Sequence, residues 1–180
     1  MRKLSNGELG RLSIEEFKTA PKFPFVLVLD NIRSMSNIGS MFRTGDAFRV
    51  EELLLCGITA CPPHREIQRT ALDAAESVSW QYFEQTILAV KYLHKKGYAV
   101  YAAEQASKSV LLQDFQPVSG KKIAVIFGNE LRGIDDQILS VVDACIEIPQ
   151  YGTKHSFNVA VSAGIILWDL FYKTVLQSVK

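Results

Sequence analysis

The sequence lacks the features that would assign it to several specialised classes of protein. Its three cysteines, Cys56, Cys61 and Cys145, form no CxxC pair, which argues against a disulfide framework and a zinc site. Uninterrupted apolar runs such as FVLVL and AVIF have the length of strands, and none approaches the roughly 20 residues of a membrane span. The N-terminus lacks the apolar middle section of a secretory signal. We therefore expect a cytoplasmic protein with free thiols and with no membrane or metal partner.

Several sequence signatures of enzymes are also missing. The chain contains no G-x-G-x-x-G dinucleotide fingerprint and no P-loop. A serine hydrolase is a poor fit, since there is no G-x-S-x-G elbow and His155 adjoins Ser156 in the chain. The formal charge of +1 neither demands nor excludes a nucleic-acid partner, because a basic patch can lie within a neutral total.

The 180 residues, 48% of them hydrophobic, are enough for one globular core. Apolar strand-like runs alternate with helical patterns, which predicts an α/β fold with a mostly parallel sheet. Residues 1–22 are expected to form a short N-terminal extension, and residues 23–180 the main domain. The predicted strands are FPFVLVLD, EELLLCGI, VSWQYF, YAVYAA, KKIAVIFG and ACIEIPQ; helices are predicted at about 37–48, after Pro62–Pro63, in EQTILAVKYLHKK, in DDQILSVVD and from Asn158 onward.

Ligands of such sheets bind beyond the carboxyl ends of the strands, and three segments that follow strands carry unusual polar residues. In DNIRSMSNIGSMFRTGDAF, Ser36 or Asn37 can cap a helix. This segment fits a capped helix with a solvated arginine, or an anion site in which Arg33 and Arg43 hold a phosphate at the helix start.

The other two segments also allow a structural and a functional interpretation. FGNELRGID, residues 127–135, fits a strand-to-helix turn in which two glycines adopt positive φ. The functional interpretation depends on Glu130, an acidic residue at the carboxyl end of a predicted strand, where a binding cleft is expected. YGTKHSFNVAVSAGIILWDL, residues 151–170, has a polar front edge before an apolar helix. One cap residue would satisfy the helix start, whereas this edge contains Thr153, Lys154, His155, Ser156 and Asn158.

Taken in order, NIGSMFRTGDAF, IFGNELRGI and IPQYGTKHSFNVAVSAGIILWDL resemble the three motifs of the SpoU (TrmH-like) RNA 2'-O-ribose methyltransferases of the SPOUT superfamily. The resemblance spans about Val26 to Phe171. It implies an S-adenosylmethionine-dependent enzyme that methylates a ribose 2'-hydroxyl of tRNA or rRNA. The 2'-hydroxyl exists only in RNA, which makes RNA the expected partner.

The resemblance also implies site residues. Those that match the catalytic positions of the family are Asn37, Arg43, Glu130, Ser156 and Asn158; those that match its S-adenosylmethionine pocket are Gly128, Ile148, Phe157 and, by a weaker match, Ala103. Leu131 stands where many members have glycine, and Phe157 where leucine is usual. We expect these departures to alter the shape of the pocket more than its existence.

The resemblance further implies a deep C-terminal trefoil knot that holds the cofactor, and a homodimer, because members of the family have both. From pattern alone we would predict an unknotted open sheet, because connections rarely thread loops. The last helix and the helix after Asn37 are more hydrophobic than solvated helices should be, and both are candidates for a subunit interface.

The role of Arg43 has two interpretations. Family accounts cast this arginine as the general base, but a guanidinium with a pKa above ~12 is almost never neutral near pH 7. Arg43 is better suited to bind a phosphate and to stabilise the developing alkoxide. Glu130, Ser156 and Asn158 would orient the reacting groups and not react themselves. The RNA substrate and the need for an accessory partner stay open, and the alternative function is a non-catalytic RNA-binding module of the same fold.

Overall fold

The computed structural model describes residues 1–177 of the chain, and its centre is a seven-stranded parallel sheet. The spatial order of the strands is β3-β2-β1-β6-β4-β7-β5. This confirms the predicted α/β class with a mostly parallel sheet. The strands are β1 (Phe23–Asp30), β2 (Val50–Cys56), β3 (Trp80–Phe83), β4 (Ala99–Ala103), β5 (Val110–Leu111), β6 (Ile123–Phe127) and β7 (Ala144–Glu147).

Both faces of the sheet are covered, which explains why the central strands are apolar without alternation. Leu27 and Leu29 of β1 contribute to the core on one face of the sheet, while Val26 and Val28 contribute to a second core on the other. The helices are α1 (Ile14–Thr19), α2 (Met35–Ala47), α3 (Arg65–Ala71), α4 (Ala74–Ser77), α5 (Thr86–Lys95), α6 (Asp136–Leu139) and α7 (Val159–Phe171), with a 3₁₀ turn at Asn6–Leu9 and a π-helical turn at Tyr172–Leu176.

The N-terminal extension packs on this core. Ser13 and Glu16 form a capping box at the start of α1, as SIEEFKTA predicts. Phe17 of α1 is buried in the same core as α2. The three cysteines are free thiols, as expected.

Helix α2 confirms the predicted helix but begins two residues earlier, at Met35. The prediction that Ser36 or Asn37 caps it is wrong: the Ser34 hydroxyl accepts from the Asn37 amide at 3.3 Å. Asn37 is thereby inside the first turn, with its side chain available for other contacts. The apolar face of α2 is buried within the chain, so its hydrophobicity does not by itself indicate a subunit interface.

The helix predicted after Pro62–Pro63 is divided in two. Leu72 and Asp73 adopt left-handed backbone conformations, with φ of 48° and 66°, and they separate α3 from α4. His64 caps α3 through its side chain, which accepts from the Glu66 amide. Ala71 and Ala74 lie on either side of the break, and both side chains are buried in the same core.

Helix α7 is apolar around most of its circumference, yet it is not fully buried. Four of its side chains lie in the core, whereas Val161 and Trp168 are 50% and 55% exposed. Together with the π-helical turn, α7 forms one helix over Val159–Leu176 that is long and apolar enough to cross a membrane by length and composition alone. Of its residues, 22% are buried in the fold. Near its end, Asp169 and Lys173 form an ion pair at 2.7 Å.

The connection from β4 to β5 has to cross β7, because β7 lies between these two strands. The chain that leaves β7 passes this connection, and the Gln105 side chain in it donates to the carbonyl oxygen of His155 at 2.7 Å. A trefoil knot needs the C-terminal segment to pass through such a loop. The knot itself stays a prediction from the family resemblance.

We expect Gly39→Ala to destabilise the fold by about 1–3 kcal/mol, the usual cost of overpacking. A Cβ at Gly39 would lie 2.3 Å from the carbonyl oxygen of Ile67 and 2.1 Å from the Thr70 hydroxyl, so α2 and α3 would have to separate. Urea denaturation followed by circular dichroism measures the change. The control is Gly7→Ala, where no atom lies within 4 Å of the added Cβ; equal effects of the two substitutions would contradict this account.

Candidate active site

A cavity of about 650 Å³ opens at the carboxyl ends of β4, β6 and β7. Seven of the nine predicted site residues line it: Ala103, Gly128, Glu130, Ile148, Ser156, Phe157 and Asn158. Asn37 is hydrogen-bonded to this group. Arg43 does not line the cavity, and its position is described below.

Glu130 connects the turn after β6 to the start of α2. One carboxylate oxygen accepts from the backbone amide of Arg33, and the other accepts from the backbone amide of Ser34, each at 3.0 Å. The second oxygen also accepts from the Asn37 side-chain amide at 3.0 Å. An acidic side chain beside the open N–H groups of a helix start is favourable.

These contacts determine the ionisation of Glu130. Partial burial works to raise its pKa, but the hydrogen bonds from Arg33, Ser34 and Asn37, with one from its own backbone, outweigh burial and lower the pKa below the ordinary value. Glu130 is therefore a carboxylate near neutral pH, and its oxygens are occupied as acceptors. It suits a positioning role better than that of a general base.

Asn158 carries out two duties at the start of α7. Its side-chain oxygen caps the helix by accepting from the amides of Ala160 and Val161, at 2.9 and 3.4 Å. Its side-chain nitrogen donates to the Asn37 oxygen at 3.1 Å. Asn37, Glu130 and Asn158, which come from three segments distant in sequence, thus form one hydrogen-bonded group.

Close backbone packing shapes the turn after β6. A Cβ at Gly128 would lie 2.5 Å from the carbonyl carbon of Gly133, so only glycine fits there. Asn129 and Gly133 exchange backbone hydrogen bonds, and the Asn129 side-chain oxygen accepts from the amides of Leu131 and Arg132. The Asn129 side-chain nitrogen donates to the carbonyl oxygen of Asn31 at 2.6 Å, which ties the turn to the end of β1.

Ser156 and Phe157 lie at the mouth of the cavity. Both are exposed, and Phe157 retains 41% of its accessible surface. The Ser156 hydroxyl forms no hydrogen bond with any residue in 1–177, so it is open to a ligand. Ser156 is therefore not a helix cap, and the capping interpretation of the polar edge holds for Asn158 alone.

Arg43 lies apart from the other predicted catalytic residues. Its exposed side chain lines a second cavity, of about 850 Å³, together with the N-terminal segment 10–14 and Asp46. Among residues 1–177, its side chain forms no hydrogen bond or ion pair. Within residues 1–177, Arg43 therefore shares neither a hydrogen bond nor a cavity with Glu130 and Asn158. Arg33 does not line the second cavity, so the two arginines of the predicted anion site do not line one cavity.

Glu104 is a cavity residue that the sequence interpretation missed. It follows β4 directly, and its carboxylate accepts from the backbone amides of Gln105 and Ile134 at 2.9 and 3.0 Å. Its position just beyond the carboxyl end of a predicted strand was the signal that could have identified it.

The family model for the SpoU rRNA Methylase family matches residues 24–168, which include all three polar segments. The chain belongs to this family. The resemblance stated from the motifs is therefore confirmed, and with it the SpoU-type methyltransferase class.

Similar proteins support the same class. The chain is 29% identical over 163 residues to the tRNA (guanosine(18)-2'-O)-methyltransferase of Thermus thermophilus, covering 90% of this chain and 81% of that protein. It is also 29% identical to a mouse tRNA (guanosine(18)-2'-O)-methyltransferase, covering 80% of this chain but only 9% of that protein. The structure of an AdoMet-bound rRNA methyltransferase from Sinorhizobium meliloti is 25% identical, with a TM-score of 0.78 over 84% of this chain and 57% of that one.

The cavity fits S-adenosylmethionine. Its volume lies within the roughly 300–1,000 Å³ of small-molecule sites, and Ile146, Ile148 and Phe157 offer apolar surface for an adenine ring. Gly128 and Gly133 pack closely, and at these two positions the cavity wall consists of backbone. This lining suits a ligand with net positive charge, because it contains more acidic than basic residues. The four acidic residues are Glu104, Glu130, Asp136 and Glu147, and the one basic residue is Arg132.

We expect Glu130→Gln to destabilise the protein by about 1–3 kcal/mol at pH 7, because an amide offers one acceptor oxygen to the backbone donors of Arg33 and Ser34 and leaves the other unpaired. Urea denaturation from pH 3 to pH 8 measures the difference. The folded pKa of Glu130 is lowered, so its contribution is present above the unfolded value of about 4.3 and is lost as pH falls through the folded value. The stability difference should therefore shrink below about pH 4; a pH-independent difference would exclude the carboxylate charge as the cause.

Proposed function

We propose that the protein is an S-adenosylmethionine-dependent methyltransferase that methylates a ribose 2'-hydroxyl of tRNA or rRNA. The observation that carries this proposal is the hydrogen-bonded group of Asn37, Glu130 and Asn158 at the mouth of the cavity. Membership of the SpoU family and the methyltransferase names of its relatives support it.

The chain's own residues would act mainly by positioning. Methyl transfer is an in-line displacement, and its rate depends on holding two reactants in attack geometry. Asn158 is fixed by its cap and by Asn37, so it can present a rigid polar edge to the ribose. Ser156 has a free hydroxyl beside it, which can donate to or accept from the nucleotide.

S-adenosylmethionine supplies an electrophilic methyl group on a sulfonium. Gly128 and Ile148 would hold it through the cavity wall, with Phe157 and the more weakly matched Ala103 completing the pocket. The apolar side chains of Ile148 and Phe157 would exclude water from part of the bound molecule.

Arg43 completes the catalytic set only if it comes from another copy of the chain. Within one chain it lines a different cavity from Glu130 and Asn158, so we propose a homodimer in which Arg43 of one copy serves the site of the other. The exposed apolar side chains of α7 and the following turn, Val161, Trp168 and Tyr172, are candidates for the contact. In that place Arg43 would grip a phosphate or stabilise the alkoxide.

The proposal also includes the expected domain bounds and the expected cellular location. Residues 23–180 would form the methyltransferase domain, to which residues 1–22 add an extension that packs through Phe17. A cytoplasmic location fits the RNA-modifying bacterial relatives. In the long C-terminal helix, burial of Ala163 and Leu167 in the core and the Asp169–Lys173 ion pair favour a core helix over a membrane helix.

The function is tested by incubating the purified protein with methyl-labelled S-adenosylmethionine and either tRNA or rRNA. Nuclease digestion and mass spectrometry should find the label in 2'-O-methylnucleosides. Asn158→Ser should reduce transfer by about tenfold or more, because serine keeps a helix cap but lacks the amide that binds Asn37, and misplaced reactive groups cost up to about 100-fold. Absence of S-adenosylmethionine binding in calorimetry, with RNA binding retained, would instead support the non-catalytic binding module.

The origin of Arg43 is tested by mixing two inactive variants. Arg43→Ala and Asn158→Ser should each be poorly active alone, but refolding them together at equal amounts should restore roughly a quarter of the wild-type rate, since half the dimers then carry one intact shared site. Light scattering establishes whether a dimer forms. No recovery in mixtures that contain mixed dimers would show that Arg43 acts in its own subunit or not at all.

A further inference from the structure

The turn after β6 is shaped around the carboxylate of Glu104. Gly133 has a φ of 67°, and a Cβ there would lie 2.4 Å from a carboxylate oxygen of Glu104. The next amide, of Ile134, donates to the same oxygen at 3.0 Å. Gly133 therefore leaves room for Glu104, just as Gly128 leaves room for Gly133.

This carboxylate lines the cavity. Its strand, β4, lies between β6 and β7, whose carboxyl ends provide the rest of the wall. Its charge also acts within the fold, because burial and then the nearby Glu104 raise the pKa of Cys145.

Glu104 is less occupied by protein donors than Glu130. Each oxygen of Glu104 accepts one backbone hydrogen bond, and a carboxylate has about four acceptor positions. Glu130 accepts three bonds, all from the α2 side. Glu104 thus has a fixed position and more remaining capacity than Glu130 to interact with a ligand.

Methyl transfer changes the charge of the molecule in this cavity. The sulfur–methyl bond breaks, the oxygen–methyl bond forms and the hydroxyl proton leaves to solvent, so a sulfonium becomes a neutral thioether. We propose that Glu104 is a specificity-determining residue that favours the cationic methyl donor over the neutral product. This inference rests on the proposed function. Its consequence is that the cavity holds S-adenosylmethionine more tightly than S-adenosylhomocysteine and releases the product.

Calorimetric titration of both ligands into the wild-type protein and Glu104→Gln tests this proposal. The substitution should raise the Kd for S-adenosylmethionine by about tenfold, as expected for loss of one charge interaction in a partly buried site. The Kd for S-adenosylhomocysteine should change less than about twofold, because that ligand lacks the sulfonium charge. A purely structural role of Glu104 would weaken both ligands by the same factor, and this result would overturn the proposal.

Two further measurements complete the test. Glu66→Gln removes the same charge from the exposed first turn of α3, outside the cavity, and should leave the ratio of the two Kd values unchanged. If Glu104→Gln does not fold, the wild-type protein still decides: raising the salt from roughly 0.05 to 0.5 M should lower the preference for the cationic ligand, and a preference unaffected by salt would contradict the proposal. Failure of the wild-type protein to bind either ligand would instead reject the proposed function itself.

Discussion

The carboxylate of Glu130, with its three hydrogen bonds, is the interaction on which the arrangement of the candidate site depends. It joins the turn after β6 to the backbone of Arg33 and Ser34 and to the side chain of Asn37. Asn37 in turn binds Asn158, so the orientation of the last helix is linked to the same carboxylate. Because a charged acceptor binds more strongly than a neutral one, this carboxylate holds the start of α2 against the turn after β6 directly, and it holds the start of α7 through Asn37.

The order of strands makes this interaction possible. Glu130 and Asn37 are 93 residues apart in the chain, and Asn37 and Asn158 are 121 apart. Parallel pairing of β1 with β6 and of β6 with β4 places their carboxyl ends at one edge of the sheet, where the polar residues that follow each strand meet. The same edge brings Glu104 against Gly133, so the cavity and the hydrogen-bonded group have a common structural origin.

The sequence was informative where a pattern extended over many residues. The long apolar runs of β1 and β6 and the helical period of α2 and α5 predicted their elements correctly. A strand that is buried on both faces gives a continuous apolar run, and a helix that is buried on one face gives an apolar residue every three or four positions. β5 was missed because two residues carry no period. The α3–α4 break depends on the left-handed Leu72 and Asp73, and the leucine, unlike the aspartate, is a residue type that gives no turn signal.

The site was predictable to the extent that its chemistry is local. Motif resemblance grouped Glu130, Asn158 and Asn37, but neither the cap at Ser34 nor the contacts of Glu104 followed from it, because both depend on backbone positions that meet only in three dimensions. Arg43 is the clearest case: its motif position implies membership of the site, which stays a prediction, and within one chain Arg43 lines a different cavity from Glu130 and Asn158.

Helix α7 shows why a sequence can be apolar almost all the way round without being a fully buried helix. Ala163, Leu167 and Leu170 pack in the core, Val159, Ser162 and Ile166 line the cavity, and Val161 and Trp168 are exposed. Residues spaced by three, four or seven positions share a face of a helix, so these three sets form three adjoining faces of one rigid element. A partner bound to the exposed face would therefore contact the same helix that Asn158 caps. A shift of this helix would move the residues that line the cavity directly, because they belong to the same helix.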